Sequence, residues 1–383
     1  MKIDMQLLGE IDRLQLSDRA GRLREELLNC KPRVVSDRAK LAMEAWRETE
    51  GQPIDLRRAK LLKRVLGSVP LVIFRGQLLA DSDTKYFRGA HPHCDYDGSY
   101  LIPLLQESQG EVTLGGPAEK GILGEEDLAT LLEAVKFWKG KTAVEKAREV
   151  ATAAMGTWYD DLVEAGTQRY EAMAPVPSVV DNGRIVNEGL RSFIAEAEKH
   201  IPQWVDTRDD DIEKLYFWQS TIIALEAVIN FANRYSKLAK DMAAAEQDLG
   251  WRAELEKIAE ICQWVPENPA RNFREALQSI VMCNLALKLE TGCSTATGWG
   301  LVDQYLYPYF KRDLHEGRLS LEEAADLVHD LLLCTARKEW VAELSWRDFM
   351  QKQRLSSIGL GGPNRQGEDA SNELTYLVLH VRG

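Results

Sequence analysis

Two stretches of the 383-residue chain carry side chains able to do chemistry. In His91-Pro92-His93-Cys94-Asp95, two imidazoles, a thiol and a carboxylate stand together, and each can ligate a metal. No second ligand pair with zinc-like spacing occurs elsewhere and Pro92 constrains the loop, so a substrate-pocket or polar-loop role is the preferred reading over a metal site. The other stretch, T-G-C-S-T-A-T-G-W-G (291–300), sets the Cys293 thiol, several hydroxyls and the Trp299 indole among glycines that let backbone and ligand approach closely. Cys293 could be a nucleophile, but no histidine lies near it in sequence, and a buried inert thiol is expected.

Other candidates are weaker. Glu226, inside the apolar run T-I-I-A-L-E-A-V-I-N-F-A (221–232), is read as a hydrogen-bonded structural carboxylate rather than a perturbed acid. L-G-G-P (114–117) and G-L-G-G-P (359–363) lack both phosphate-loop spacings and are read as turns. There is no H-E-x-x-H and no G-x-S-x-G.

The elements that must position these residues are mostly helical. Residues 18–66 are rich in Arg, Leu, Ala and Glu, with a break at Gly51-Gln52-Pro53. P-L-V-I-F-R-G-Q-L-L-A (70–80) predicts a short buried strand or hairpin turning at Gly76, and 85–100 is a polar, aromatic loop. Leu128, Leu131, Leu132, Val135 and Trp138 form a helical stripe stopped by Gly140. Thr142 with Glu145 and Ser320 with Glu323 have capping-box spacing, and Asn272 with Glu275 is read the same way. Leu190, Phe193, Ile194, Ala197 and Ile201 form another stripe, separated from the preceding helix by a non-helical joint at 175–183. The longest helical pattern, 212–247, is apolar on nearly every face at its centre and predicts a core helix covered all round. The helix from Asn272 to about Glu290 feeds the 291–300 loop, which leads into an aromatic helix containing Pro308. R-L-S-S-I-G-L-G-G (354–362) reads as a strand entering a glycine turn, and S-N-E-L-T-Y-L-V-L-H-V as a closing helix or strand.

Composition bounds the function classes. Lysine plus arginine number 48 against 60 acids, a net charge of −12 without a basic block, which argues against nucleic acid as a partner. The six cysteines lack C-x-x-C spacing and the N-terminus lacks a signal-peptide core, so reduced thiols and a cytoplasmic location are expected. The 221–232 run is too short to span a bilayer and carries Glu226, so no membrane role is expected.

Three ordered motifs, P-A-R-N-F-R-E-A-L-Q (269–278), E-T-G-C-S-T-A-T-G-W-G-L-V-D-Q-Y-L-Y-P-Y-F-K-R-D-L-H-E-G-R-L-S-L-E-E-A (290–324) and G-L-G-G-P-N-R-Q-G-E-D-A-S-N-E-L-T-Y-L-V-L (359–379), resemble the N-terminal half of the pyruvate formate-lyase-like glycyl radical enzymes. R-V-V-S-D-R-A-K-L-A-M-E-A-W (33–46) and 51–66 look like the opening helices of that family. The resemblance implies a helix-rich α/β fold, the N-terminal half of a ten-stranded β/α barrel. Residues 1–383 would form a single incomplete domain, with N-terminal helices over 1–68 and a helical layer plus the first half-barrel over 69–383.

It also implies thiyl-radical hydrogen abstraction by a finger-loop cysteine, with the radical stored on a glycine near the C-terminus. Nothing in this chain resembles the cysteine loop or the glycine motif. The chain ends within a few residues of an apolar run, and the expectation is of a cut polypeptide, inactive alone, with no catalytic residue and no bound cofactor of its own. The glycyl radical would sit in the missing C-terminal half. The expected partners are that half, a radical-SAM activating enzyme and a small-molecule substrate, and a homo-oligomer is admitted. The 210–240 helix and the 85–93 loop look most like the arylacetate decarboxylase branch. A dehydratase, a C–N or C–S lyase, and a non-catalytic helical scaffold are the alternatives. The substrate-pocket candidates are Arg88, His91, His93, Cys293, Ser294, Thr295, Thr297 and Trp299, with Thr295 or Thr297 placed to bond a carboxylate. The chain departs from the family at Gly298, where many members have serine, and at Leu301, where many have the arginine of Gly-Arg-x-Asp-Gln.

Overall fold

The structure is a computed structural model that describes residues 3–96, 98, 101–114, 120–156, 158, 161–162, 179–201, 209–291, 298–339, 341 and 357–382. Helix α1 (Met5–Ile11) starts under the Asp4 side chain and α2 (Asp18–Asn29) under Ser17, each accepting from backbone N–H groups of the first turn. The expected helical run does not continue. Arg33–Val34 form β1, one of two inner strands of a sheet, before α3 (Asp37–Glu48) and α4 (Ile54–Ser68) follow on either side of Gly51, whose φ of 80° turns the chain.

The expected strand at 70–80 is absent, for a physical reason. Its backbone groups are taken by side chains instead of a neighbouring strand. Gln278 bonds both the N–H and C=O of Ala80 (2.8 and 2.9 Å), Asp330 accepts from Leu78 N (2.6 Å) and Arg274 donates to Leu78 O (2.6 Å). Gly76 does make the turn, with φ 91°. Within the expected 85–100 loop, Gly89–Ala90 form β2, paired parallel to β1.

Helix α5 (Leu101–Gln106) leads to β3 (Glu111–Thr113) and β4 (Lys120–Leu123), completing a sheet of order β2-β1-β4-β3. In α6 (Glu125–Trp138), Leu131, Val135 and Trp138 are buried, Leu128 is half-buried and Leu132 faces solvent. Helix α7 (Ala143–Met155) opens on the expected Thr142–Glu145 capping box. Residues 175–178 of the expected joint lie outside the described residues; Asn182 starts α8 (Asn182–Glu188), and Gly189 turns into α9 (Leu190–His200).

Helix α10 (Asp209–Ala245) packs against α4, against α9 and against α11 (Leu249–Trp264). Its Ala227–Ala243 half buries Phe231, Ala232, Tyr235 and Ala239 but exposes Asn230, Asn233, Lys237 and Lys240, and none of residues 211–226 is buried, so the expected all-round cover is not found: the helix buries one face over its second half. Phe217 is 54% exposed, and Glu226 is exposed rather than structural. At 37 residues the helix is long and apolar enough to cross a membrane by length and composition, a test that core helices of globular proteins also pass.

Helix α12 (Phe273–Thr291) is buried along almost its whole length. Asn272 accepts from Glu275 N (2.9 Å), but the Glu275 carboxylate accepts from Arg271 N (2.7 Å) and not Asn272 N, so only half of the expected capping box forms. Beyond the loop, β5 (Gly300–Leu301) precedes α13 (Val302–Tyr305) and α14 (Tyr307–His315), with Pro308 in the first turn where its missing N–H costs nothing. The Ser320–Glu323 capping box opens α15 (Leu321–Ala336) as expected. Of the expected 354–362 strand, residues 354–356 lie outside the described residues; Ile358–Gly359 form β6, parallel to β5, followed by the glycine turn at Gly361 and Gly362 (φ 63° and 88°). The last element is helix α16 (Glu373–Arg382). One hydrophobic cluster runs from Ile11 to Val378 through these elements.

Candidate functional site

The two chemistry-bearing stretches meet where α12 ends. Arg38, on α3, donates to the carbonyls of Leu289 (2.6 Å) and Glu290 (3.3 Å), capping the helix just before the 291–300 loop. The same guanidinium forks onto Asp95 at 2.5 and 3.1 Å, and Arg58 from α4 bridges Asp95 (3.0 Å) to Glu290 (2.5 Å). Arg38 and Asp95 are both buried. Burial works against an ionised Asp95, but the two guanidinium groups, Arg38 first, outweigh it and hold the carboxyl well below the usual range. A four-residue ion network therefore ties the His91–Asp95 loop to the stem of the 291–300 loop.

His93 sits inside this clamp. Its Nδ1 is 2.8 Å from His91 O and its Nε2 is 3.3 Å from Leu289 O. Burial, and then the Arg38 charge, push its pKa well down, so the imidazole is neutral and has one N–H to give; the shorter contact takes it. His91 donates Nε2–H to Asp83 O (2.7 Å), and burial lowers its pKa also. Backbone carbonyls thus occupy nitrogens of both rings. Among the described residues no three His, Cys, Asp or Glu side chains converge as a metal set.

Arg88 points the other way. Its Nε and Nη2 pair with Glu339 (2.9 and 2.6 Å) and its Nη1 donates to Cys30 O (3.1 Å). Trp299 is fully buried, with its indole N–H on Thr335 Oγ1 (3.1 Å) and its backbone carbonyl accepting from Asn182 (3.0 Å) and Tyr305 (2.8 Å). Cys293, Ser294, Thr295 and Thr297 lie outside the described residues. The structure brings His91 and His93 together at the α12 end and sets Trp299 at the far stem of the loop.

Sequence reasoning missed a set of buried ions beside this loop. Lys288 on α12 meets Asp83 at 2.5 Å. Burial pulls Lys288 below its ordinary range against the Asp83 charge, whereas at Asp83 the lysine charges, Lys288 first and then Lys338, outweigh burial and lower the carboxyl. Arg337 pairs with Asp81, which also accepts from Gln77 (2.5 Å). The signal available in sequence was the A-R-K-E run at 336–339, placing three charges directly after the apolar L-L-L-C stretch at 331–334. Four other thiols are buried and inert: burial pushes Cys94, Cys262 and Cys283 up to about 12, and raises Cys334.

The central motif acts as a lock. Asp303, fully buried, accepts from Gly361 N (2.7 Å) and Thr375 Oγ1 (2.5 Å), and its carbonyl accepts from Asn372 (2.8 Å). Tyr305, Tyr307 and Tyr309 reach in three directions, to Trp299 O, to Glu373 (2.5 Å) and to Val186 O (3.0 Å). At Gly298 an added Cβ would stand 2.9 Å from Val179 Cγ2, so no serine fits there as the site is packed. Leu301 is 47% exposed beside the two-stranded β5–β6 pair.

A helix-rich α/β layer with this lock and this clamped loop defines a class. The family model described as pyruvate formate lyase-like matches residues 12–382, and the chain belongs to that family of glycyl radical enzymes. It is 32% identical over 375 residues to isethionate sulfite-lyase of Oleidesulfovibrio alaskensis, covering 91% of this chain and 43% of that protein. It is 26% identical to indoleacetate decarboxylase of Tractidigestivibacter scatoligenes, covering 97% and 45%. Among solved structures, the glycerol-bound form of the B12-independent glycerol dehydratase from Clostridium butyricum superposes with a TM-score of 0.87 at 28% identity, covering 96% of this chain and 46% of that one. The chain spans somewhat under half the length of the relatives it matches. The likeness spreads over sulfite-lyase, dehydratase and decarboxylase, so it does not single out the arylacetate branch expected from sequence.

Proposed function

We propose that this chain is the substrate-pocket half of a glycyl radical lyase or dehydratase that cleaves a carbon–sulfur or carbon–oxygen bond of a small molecule. The observation that carries this reading is the likeness along almost the whole chain to a sulfite-lyase at 32% identity and to a dehydratase structure at a TM-score of 0.87. Decarboxylation of an arylacetate, the sequence-level expectation, is the second reading and rests on the 26% identity to indoleacetate decarboxylase. The chain's part is to hold substrate on the 291–300 loop, with His91, His93 and Trp299 fixing the two loop stems and Ser294, Thr295 and Thr297 offering hydroxyls. Arg88 contributes by bracing the neighbouring strand through Glu339.

Hydrogen abstraction by a thiyl radical belongs to a cysteine loop and a radical glycine supplied from outside these 383 residues, with a radical-SAM enzyme as activator in an anaerobic cytoplasm. The test is anaerobic activation followed by electron paramagnetic resonance and product analysis. The 383-residue chain alone is expected to give no glycyl radical doublet. Combined with a polypeptide carrying the cysteine and glycine motifs, it is expected to release sulfite from isethionate or an aldehyde from a diol. A doublet from this chain alone would overturn the division of labour, and carbon dioxide from indoleacetate without the other products would favour the second reading.

A further inference from the structure

Residues 4–14 lie across the last helix. Asp4 N donates to Glu373 Oε1 (2.6 Å), and His380 Nε2 lies 3.0 Å from Leu14 O. Between these points α1 packs on α16, with Ile11 1% exposed and Leu7, Leu8 and Leu14 against the main core. Just beyond, Ser17 and Arg19 bond Asp326 of α15 (2.6 and 3.3 Å), and Arg19 also bonds Asp330 (2.7 Å). The segment is therefore a strap, anchored by side chains at its Ser17–Arg19 end and latched by a backbone N–H at its Asp4 end.

Helices shorter than about 12–15 residues are marginal alone in water, and α1 has seven, so it is helical only while docked. Folding and docking of the strap are then one equilibrium between a closed and an open state. Opening costs the Ile11 burial and the bonds to Glu373 and His380, a small part of what holds the whole chain, so it precedes global unfolding.

The latch belongs to the turn that also makes the lock. Glu373 Oε2 accepts from Tyr307 of α14 (2.5 Å), so one carboxylate holds both the strap and the central motif. In the same turn Asn372 donates to Asp303 O (2.8 Å) and Thr375 donates to Asp303 Oδ2 (2.5 Å), the oxygen that also accepts from Gly361 N (2.7 Å). An open strap uncovers this turn and takes a donor from Glu373.

We propose that residues 4–14 are a strap that opens on the Ser17–Arg19 anchor and, when latched on Glu373, keeps the Asp303 lock closed. The strap works in the same way whatever bond the assembled enzyme breaks. Its closed state holds the first turn of α16 against the central motif, and its open state lets that turn and the Gly361 amide exchange with solvent.

The test is native-state hydrogen exchange of the 383-residue chain in low urea, read over residues 4–14, around Gly361 and over α16, with α12 as reference. In wild type the strap, the Gly361 amide and the first turn of α16 are expected to share one opening that lies well below the global unfolding followed by α12. Ile11→Ala should speed exchange of strap and lock together by at least about tenfold, because both open through a state in which Ile11 is already exposed. Glu373→Gln should act in the same direction, since its amide offers one acceptor oxygen to two donors. Val135→Ala, in α6, should leave both rates unchanged, because α6 stays folded when the strap opens. Strap exchange only through global unfolding would overturn the proposal, as would a lock that keeps its wild-type rate when Ile11→Ala speeds the strap. A Glu373→Gln strap no faster than wild type would remove the latch, and Val135→Ala speeding strap and α12 alike would make the opening global. Should Ile11→Ala not fold, Ile11→Val takes its place with an expected acceleration of about twofold to tenfold, and the wild-type comparison needs no variant.

Discussion

At the scale of single residues, the Arg38–Asp95 pair decides most. With both partners buried and Arg58 and Glu290 extending the network, removing one charge strands the other in the interior. Asp95→Asn is expected to cost about 3–5 kcal/mol, read as a shift in the urea midpoint without a change in slope. The pH dependence has a definite sign. Because the folded carboxyl titrates below the unfolded one, its stabilisation is complete above the unfolded value near about 4 and is lost as pH falls through the lower folded value. Wild type should therefore lose more stability than Asp95→Asn below that point, and equal acid profiles would show that Asp95 is not the ionised partner of Arg38. Neither histidine offers a comparable switch near neutrality, since burial holds both neutral.

At the scale of elements, β5 and the loop stem show how one departure from the family is accommodated. Gly298 is packed against Val179 and Ser357, with room for no Cβ unless Val179 moves. Gly298→Ser, which restores the residue many relatives carry, is expected to destabilise by about 1–2 kcal/mol through overpacking. Val179→Ala should relieve it, so the double variant should be more stable than the sum of the two single changes predicts. Additive effects in a double-mutant cycle would disprove the coupling. The departure at Leu301 has a different character: the side chain is half-exposed, while Asp303, two residues on in α13, points inward to Gly361 and Thr375, so Leu301 does not serve the lock.

At the scale of the whole molecule, the main hydrophobic cluster, from Ile11 to Val378, includes Leu61, Val65 and Leu66 of α4, which packs on α10 and α12, beside a small second cluster of Leu23, Phe87 and Leu333. The opening helices are thus part of the same core as the later ones. Calorimetry is expected to give one transition with equal calorimetric and van't Hoff enthalpies. A separate low-temperature transition assigned to residues 1–68 would divide the core. The half-covered 211–226 stretch of α10 meets α9 through Trp218, whose ring stacks on His200 with centroids 4.6 Å apart.

The sequence by itself determined what local physics can write. Helix stripes such as Leu131, Val135 and Trp138, the Thr142 and Ser320 capping boxes and the Gly76 and Gly361 turns need only neighbours within a few residues, and all are present. The ordered motifs were enough to indicate the family. Two-residue strands were not legible, because Arg33–Val34 has no periodicity to read and becomes a strand only when Gly89–Ala90 and Ile122–Leu123 arrive beside it. The 70–80 segment failed as a strand for the converse reason, its backbone being satisfied by Gln278, Asp330 and Arg274 from far along the chain. The clamp of Arg38, Asp95, Arg58 and Glu290 and the buried Asp83–Lys288 pair were decided by tertiary structure alone. Whether a charge is paired, stranded or solvated depends on which distant groups share its low-dielectric surroundings, and no spacing along the chain encodes that.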